Sequence, residues 1–163
     1  MKKVIYAGSF DPIHSGHIDI IKRTMKLFPS REIVIIVANN RNKKHYFNIE
    51  ERIKIVKKAL SKIKNIKIIK YEGIISEYAK ENKAEVMIRG IRNGIDLDYE
   101  FNLEQFTRKT SKMETVYLTP KNKHINTSSS LIRMFIETKN KKKAKKYMNE
   151  KSYKKMSKFL KKK

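Results

Sequence analysis

Residues 6–17 read Tyr-Ala-Gly-Ser-Phe-Asp-Pro-Ile-His-Ser-Gly-His, and they constrain the chain more than any other stretch. A short apolar, β-branched run at residues 4–7 leads in, and residues 18–28 follow with apolar side chains at helical spacing. The segment therefore reads as a strand, a tight turn and the start of a helix. Gly8 lets the backbone come close to something bulky, Pro12 fixes the turn, and Ser15-Gly16 opens a helix whose first amides point into the space above the strand. Amides so arranged attract anions, phosphate above all. His14 and His17 fall at the same place, where a protonated or donating imidazole touches phosphate oxygens. Two plainer readings stand beside this one: turn histidines without a ligand, or a metal pair with Asp11, which no further His or Cys cluster completes.

The rest of the chain alternates strand and helix. Residues 32–38 (Glu-Ile-Val-Ile-Ile-Val-Ala) are almost continuously apolar, as a strand covered on both faces requires. A basic, polar loop at 39–46 follows. Asn48 then supplies an N-cap with Glu51 closing a capping box, and Ile49, Ile53, Val56 and Leu60 mark the buried stripe of a helix. Further strands are expected at 66–70, 85–89 and 115–118, and helices at 76–82, 96–109 and 128–136. Neither repeats nor internal linkers interrupt the pattern. The expected fold is α/β, a single-domain, doubly wound, five-stranded parallel sheet over residues 1–138. A lysine-rich helical extension, residues 139–163, is expected to pack on the same domain.

Such a sheet binds ligands over the carboxyl ends of its strands, and the chemically pointed residues fall just after strands. Arg41, Lys43, Lys44 and His45 follow the second, Gly73, Ile74 and Ile75 the third, and Arg89-Gly90-Ile91-Arg92-Asn93-Gly94 the fourth. After the fifth comes a segment from Pro120 ending in Thr127-Ser128-Ser129-Ser130 at a helix N-terminus. Guanidinium groups such as Arg89 and Arg92 bind phosphate bidentately. Three or four hydroxyls with free amides exceed what capping alone requires and read as a second phosphate cradle. Glu100, in the acidic run Asp96, Asp98, Glu100, is either a solvated helix charge or a ribose or ligand contact.

Cysteine is absent, which excludes disulfides and thiolate metal sites. No apolar run approaches the roughly 20 residues of a membrane span, and the N-terminus enters a strand at once, so a cytoplasmic protein is expected. The net charge of +24 would ordinarily suggest nucleic acid or an anionic surface. Half of it lies in residues 139–163, with 13 lysines against Glu150 alone. The abundance of Lys, Ile and Asn suffices to explain the excess through A- and T-rich codons. Ala144, Tyr147, Met148, Tyr153, Met156, Phe159 and Leu160 in the tail suit one or two amphipathic helices. Docking on the domain or at a subunit contact is the plain reading; binding an anionic membrane or nucleic acid is the sharper one.

Gly-Ser-Phe-Asp-Pro followed by His-x-Gly-His resembles the nucleotidylyltransferase superfamily, and the longer string resembles its phosphopantetheine adenylyltransferase family. The resemblance runs to about Thr138 and implies a Rossmann-like nucleotidylyltransferase fold. By that family's pattern, Ser9 and Phe10 lie against both substrates, with Ser9 hydrogen-bonding the reacting phosphates, and His17 contacts the nucleotide phosphate. Lys43 precedes the Phe-x-x-Glu-Glu-Arg segment, here Phe47 to Arg52. Arg89 matches an acceptor-phosphate arginine, and Ile75 falls where the pantetheine arm lies. Gly90, Ile91, Arg92, Glu100 and the run His124, Ile125, Asn126, Thr127, Ser128, Ser129, Ser130 match ATP-binding positions. The implied catalytic set is His17, Lys43 and Arg92, which with the helix termini supply positive potential to the transferring phosphate. Asn126 and Thr127 stand where the family carries an aromatic and then an aliphatic residue; Thr107 replaces an Asn and Glu104 a small residue.

The resemblance implies adenylyl transfer from ATP to 4′-phosphopantetheine, giving dephospho-CoA and pyrophosphate. It further implies Mg²⁺ held mainly through the ATP phosphates, a homohexamer, inhibition by coenzyme A, and neither nucleic acid nor membrane as partner. The alternatives are a nucleotidylyltransferase for another acceptor, such as nicotinate mononucleotide or glycerol phosphate, and a basic nucleic-acid-binding module.

Overall fold

The computed structural model describes residues 2–39 and 43–161; Arg41 lies outside the described residues. β1 (Lys3–Gly8) is the central strand of a five-stranded sheet with order β3-β2-β1-β4-β5. Its neighbours are β2 (Glu32–Ala38) and β4 (Ala84–Gly90), and the edges are β3 (Ile66–Tyr71) and β5 (Glu114–Leu118). Every pairing is parallel. The chain winds outward through β2 and β3, then returns to the far side of β1 to lay down β4 and β5. The order therefore reverses between β1 and β4, where loops leave in opposite directions and open a crevice. The doubly wound fold expected from the alternating pattern is the one adopted.

The apolar run of β2 is explained by what lies on each side. Ile33, Ile35 and Val37 join one core cluster, and Val34 and Ile36 join the other. The first cluster receives Ile20 and Ile21 from α1 (Ser15–Leu27) and Ile55 and Val56 from α2 (Ile49–Ala59). Ile132 of α5 (Ser129–Glu137) joins the same cluster. The second receives Tyr78 and Ala79 from α3 (Ile75–Glu81), with Met113 from the link between α4 (Gly94–Ser111) and β5. Each such aliphatic side chain taken out of water contributes roughly 1.5–3 kcal/mol.

α1 starts at Ser15, where Ser15-Gly16 is expected to open it, with His14 acting as N-cap in place of the usual Ser, Thr, Asp or Asn. Elsewhere a cap moves the expected boundary. α4 begins at Gly94, because Asn93 caps it by accepting from the Asp96 amide at 2.9 Å. α2 follows the expected Asn48–Glu51 capping box, with both reciprocal bonds present.

The tail forms α6 (Lys141–Lys146) and α7 (Glu150–Leu160). Ala144, Met148 and Met156 are buried in the first core cluster, and Tyr147, Tyr153, Phe159 and Leu160 pack against it. Hydrogen bonds to the domain also fasten this extension. The Ser15 amide donates to the Tyr147 carbonyl at 2.9 Å, and Asn149 Nδ2 donates to the Ala59 carbonyl at 2.7 Å. Among the described residues, no helix is long and apolar enough to cross a membrane.

Arg52 is fully buried on α2 and holds three segments together. Nε donates to the Phe47 carbonyl at 3.0 Å, and Nη1 to the carbonyls of Ser9 at 2.9 Å and Ala38 at 2.8 Å. Nη2 donates to Asn39 Oδ1 at 2.6 Å. The ends of β1 and β2 and the entry to α2 are thus fixed by one planar fork, which a lysine ammonium does not reproduce. Arg52→Ala is expected to cost about 3–5 kcal/mol in urea unfolding, since it strands several buried acceptors. Arg52→Lys is expected to recover only part of that; full recovery would mean that charge rather than fork geometry does the holding.

Candidate active site

The crevice between β1 and β4 holds a cleft of about 490 Å³. Its floor comes from the segment after β1, one wall from the β4–α4 junction, and the other from the turn into α5. Of the residues singled out in the sequence, Ser9, Phe10, His17, Lys43, Arg89, Gly90 and Arg92 line it. Glu100, His124, Thr127, Ser128, Ser129 and Ser130 line it as well. Ile75, Ile91, Ile125 and Asn126 are not among the lining residues. Ile75 opens α3 and packs against the second core cluster instead, because an apolar side chain at a helix start is drawn to the nearest buried surface. Ile91 donates its amide to the Leu118 carbonyl at 3.1 Å, tying the β4 exit to β5. Ile125 and Asn126 belong to the turn after a short 3₁₀ segment, Asn122–His124, whose geometry brings Thr127 and the serines inward and leaves those two outside.

The floor is built by close packing of rings. Phe10 adopts φ 47°, and its buried ring stands edge-on to Tyr6 at 5.5 Å and to His17 at 5.0 Å between centroids. The bulky group that Gly8 accommodates is this ring, since a Cβ there would lie 3.2 Å from it. At Gly16 a Cβ would lie 3.1 Å from the His14 ring.

The two histidines form a reciprocal cap. The His17 amide donates to His14 Nδ1 at 3.4 Å, and the His14 amide donates to His17 Nδ1 at 3.3 Å. Their rings stack with centroids 3.7 Å apart. A nitrogen that accepts carries no proton, so each neutral ring bears its hydrogen on Nε2. Burial pushes the His17 imidazolium down to about 3, with the Arg92 charge adding to the effect. Burial also lowers His14, followed by the charges of His17, Arg92 and His124. His17 therefore offers the cleft a neutral N–H donor rather than the positive charge expected from sequence.

The permanent charge comes from arginines, and α4 orients them. Arg92 directs its amide at 3.1 Å, Nε at 2.9 Å and Nη2 at 3.1 Å to the Asp96 carboxylate. That occupies one edge of the guanidinium and leaves the Nη1 edge for another ligand. One turn further along α4, Glu100 lies 3.1 Å from Arg89 Nε. Burial raises the Glu100 carboxyl, Arg89 opposes that, and Asp96 adds to the rise.

The serines are more committed than a free cradle would be. Ser128 Oγ caps α5 by accepting from the Leu131 amide at 3.0 Å, and Ser129 Oγ donates to the Pro12 carbonyl at 2.9 Å. Ser130 Oγ accepts from Arg133 Nη2 at 3.0 Å, while Arg133 Nη1 donates to the Asp11 carbonyl at 2.7 Å. Arg133 lines the cleft and was missed in the sequence. Its signal was the spacing, since residues three and four apart share a helix face and Arg133 stands so to Ser130 and Ser129. Ile95, Asp96 and Tyr99 of α4 line the cleft too and were not assigned to it from the sequence. Asp11 accepts from the amides of Tyr46 at 2.8 Å and Phe47 at 2.9 Å, which gives it a structural task. Among the described residues, no group of three or more His, Asp or Glu is placed to hold a metal ion.

This fold and cleft define a class. The sequence model of the cytidylyltransferase-like family matches residues 5–135. A phosphopantetheine adenylyltransferase of Clostridium novyi (strain NT) is 41% identical over 137 residues, covering 83% of this chain and 84% of that protein. One from Vesicomyosocius okutanii subsp. Calyptogena okutanii (strain HA) is 41% identical over 138 residues, covering 83% and 86%. The chain therefore belongs to the cytidylyltransferase-like family and, within it, to the phosphopantetheine adenylyltransferases. Among solved structures, Thermotoga maritima TmcAL bound with alpha-thio ATP shares the fold, with TM-score 0.67, 10% identity, and coverage of 99% of this chain and 56% of that one. A lipopolysaccharide core biosynthesis protein from Thermoplasma volcanium GSS1 gives TM-score 0.52 at 25% identity, covering 74% of this chain and 97% of that one.

The histidine pair sets a pH dependence. A folded-state value below the unfolded one means that the unfolded chain binds the extra proton, so stability is full above the ordinary histidine value of 6.5 and falls as pH drops from there toward 3. From pH 7 to pH 5 the protein is expected to lose about 1–2 kcal/mol through His17. Urea titrations at both pH values check this, alongside ring chemical shifts of His14 and His17 that stay flat over the same interval. A ring signal titrating near pH 6.5 would refute the neutral pair.

Proposed function

We propose that this chain transfers the adenylyl group of ATP to 4′-phosphopantetheine, giving dephospho-CoA and pyrophosphate. One observation carries the reading above the others: Lys43, Arg89, Arg92 and His17 converge on a single cleft at the β1–β4 crevice, in a chain whose relatives at 41% identity are named for this activity.

The acceptor's phosphate is an anion near neutral pH, so the reaction needs alignment and charge stabilisation rather than a strong general base. An oxygen of that phosphate forms a bond to the α-phosphorus of ATP, the bond from that phosphorus to the β-bridging oxygen breaks, and pyrophosphate leaves with the electron pair. In this reading Arg89, oriented by Glu100, and Ser9 place the acceptor phosphate. Lys43 and the open edge of Arg92 take the charge of the triphosphate, and His17 donates its Nε2 proton to the oxygens of the transferring group. The turn from His124 to Ser130 forms the ATP side of the cleft, with Arg133 reinforcing it. Mg²⁺ belongs to this reading as the triphosphate's own counter-ion, held by phosphates and water. The cleft carboxylates Asp96 and Glu100 already face arginines. An oligomer, a homohexamer by resemblance, is part of the same proposal and is supported by Phe101 and Phe106, both about half exposed on α4. Feedback binding of coenzyme A in the acceptor half of the cleft completes it.

Pyrophosphate release from ATP and Mg²⁺ tests the reading, with 4′-phosphopantetheine, nicotinate mononucleotide, glycerol phosphate or no acceptor. Release with phosphopantetheine alone is expected; release only with another acceptor would keep the chemistry and move the substrate. His17→Ala is expected to lower kcat about 10²-fold while changing KM little, as loss of one transition-state donor does. Preserved turnover with weakened substrate affinity would make His17 a binding residue only.

A further inference from the structure

The segment between β5 and α5, which forms the ATP side of the cleft, has little of its own to hold it in place. Its regular structure is the 3₁₀ turn Asn122–His124, and of residues 119–127 only Pro120 and Thr127 are buried. Within the segment the backbone bonds to itself. The His124 amide donates to the Lys121 carbonyl at 2.7 Å, and the Thr127 amide to the His124 carbonyl at 3.0 Å. The turn is therefore a unit, and what remains to be fixed is where that unit sits on the domain.

Two side chains of α1 fix it. Asp19 Oδ2 accepts from the Lys121 amide at 3.2 Å, and Arg23 Nη1 donates to the Thr119 carbonyl. They grip the peptide groups on either side of Pro120, a residue that lines the cleft. Among the described residues, these are the hydrogen bonds that run from 119–127 to the rest of the domain. Asp19 and Arg23 are opposite in charge and four residues apart, with the acid N-terminal, the arrangement that favours an ion pair along a helix. At the same spacing Arg92 pairs with Asp96, Arg108 with Glu104 and Lys154 with Glu150. Asp19 and Arg23 are instead both directed at loop backbone. Neither is among the residues lining the cleft, so each acts through the segment it holds. The first turn of the same helix carries His17, and a Cβ on Gly16 would lie 3.8 Å from His124 Cβ.

We propose that Asp19 and Arg23 are positioning residues for the nucleotide, which pre-set the 119–127 segment where ATP meets it and lock it in register with His17 on the same helix. The proposal rests on the adenylyl-transfer reading for which side of the cleft takes ATP. A segment already held loses little freedom when the ligand arrives, whereas a released one is ordered at the expense of binding. Loss of the clamp therefore falls on nucleotide affinity. At saturation ATP itself holds the segment, and turnover is nearly normal.

Pyrophosphate-release kinetics with each substrate varied in turn, beside calorimetric titration with ATP alone, test this. Asp19→Leu and Arg23→Met are each expected to raise KM and Kd for ATP about tenfold, the effect of losing one charge-assisted hydrogen bond. KM for 4′-phosphopantetheine and kcat should stay within about threefold of wild type, since the acceptor side and the reacting groups are untouched. Asp19→Asn keeps an oxygen facing the Lys121 amide and is expected to return Kd for ATP to within about threefold of wild type. Hydrogen exchange at the Lys121 amide should quicken in Asp19→Leu and not in Asp19→Asn. Equal weakening of both substrates, or a lower melting temperature with unchanged ATP affinity, would make the two residues structural only and overturn the proposal. Wild-type turnover with a different acceptor alone would overturn the substrate reading, and the calorimetric comparison would still decide the clamp; a wild-type chain that binds no ATP would overturn both.

Discussion

The cleft depends first on a buried cation and a buried anion that share one shell. Arg52 gathers the carbonyls of Ser9, Ala38 and Phe47 together with Asn39 Oδ1. Asp11, equally buried, gathers the amides of Tyr46 and Phe47. Two charges taken out of water are costly unless hydrogen bonds replace their hydration, and here backbone groups do so. Burial nevertheless lowers Arg52 from its ordinary value, with Asp11 opposing the fall. What the pair achieves is registry. The ends of β1 and β2 and the start of α2 cannot move separately, and Ser9 and Phe10, which line the cleft, sit inside that frame.

Charge in the cleft divides between groups that titrate and groups that do not. Arginine keeps its proton throughout the physiological range, so Arg89, Arg92 and Arg133 supply a field independent of pH. Burial first, and the Arg92 charge after it, keeps His14 and His17 neutral. The histidines thereby become oriented hydrogen-bond donors, and their mutual cap fixes which nitrogen bears the hydrogen. Asp96 and Glu100 add a counter-field one turn apart on α4. They hold the guanidinium groups still, which matters more to catalysis by positioning than a larger net charge would.

The sheet was legible because a strand covered on both faces leaves a continuous apolar run, as in β2, and because glycines, basic residues and hydroxyls recur just after strands. The fold rule then placed them together. The sequence was less informative wherever a side chain acts through the backbone of a distant segment. Nothing local marks Arg52 as a clamp rather than a surface charge, or shows that Ser129 reaches the Pro12 carbonyl across 117 positions. His14 was noticed for its chemistry, yet its cap on α1 was not, since histidine is a poor cap and succeeds here only through reciprocity with His17. Ile75 and Asn126 failed to reach the cleft lining for a related reason. Spacing gives the neighbourhood of a residue, while the direction of its side chain is settled by the nearest buried surface.

The tail shows how packing decides where surplus charge can stand. Rows of lysine on adjoining helices repel by a few tenths of a kcal/mol per neighbouring pair in solvent. Burial of Met148 and Met156 with partial burial of Tyr153, Phe159 and Leu160 returns roughly 1.5–3 kcal/mol for each fully buried side chain. The apolar face therefore wins, and α7 is held against α2 although the facing lysines oppose it. The alignment of these lysines where the two helices meet follows from the same helical period that turns the apolar residues inward, since it leaves the lysines on the rim.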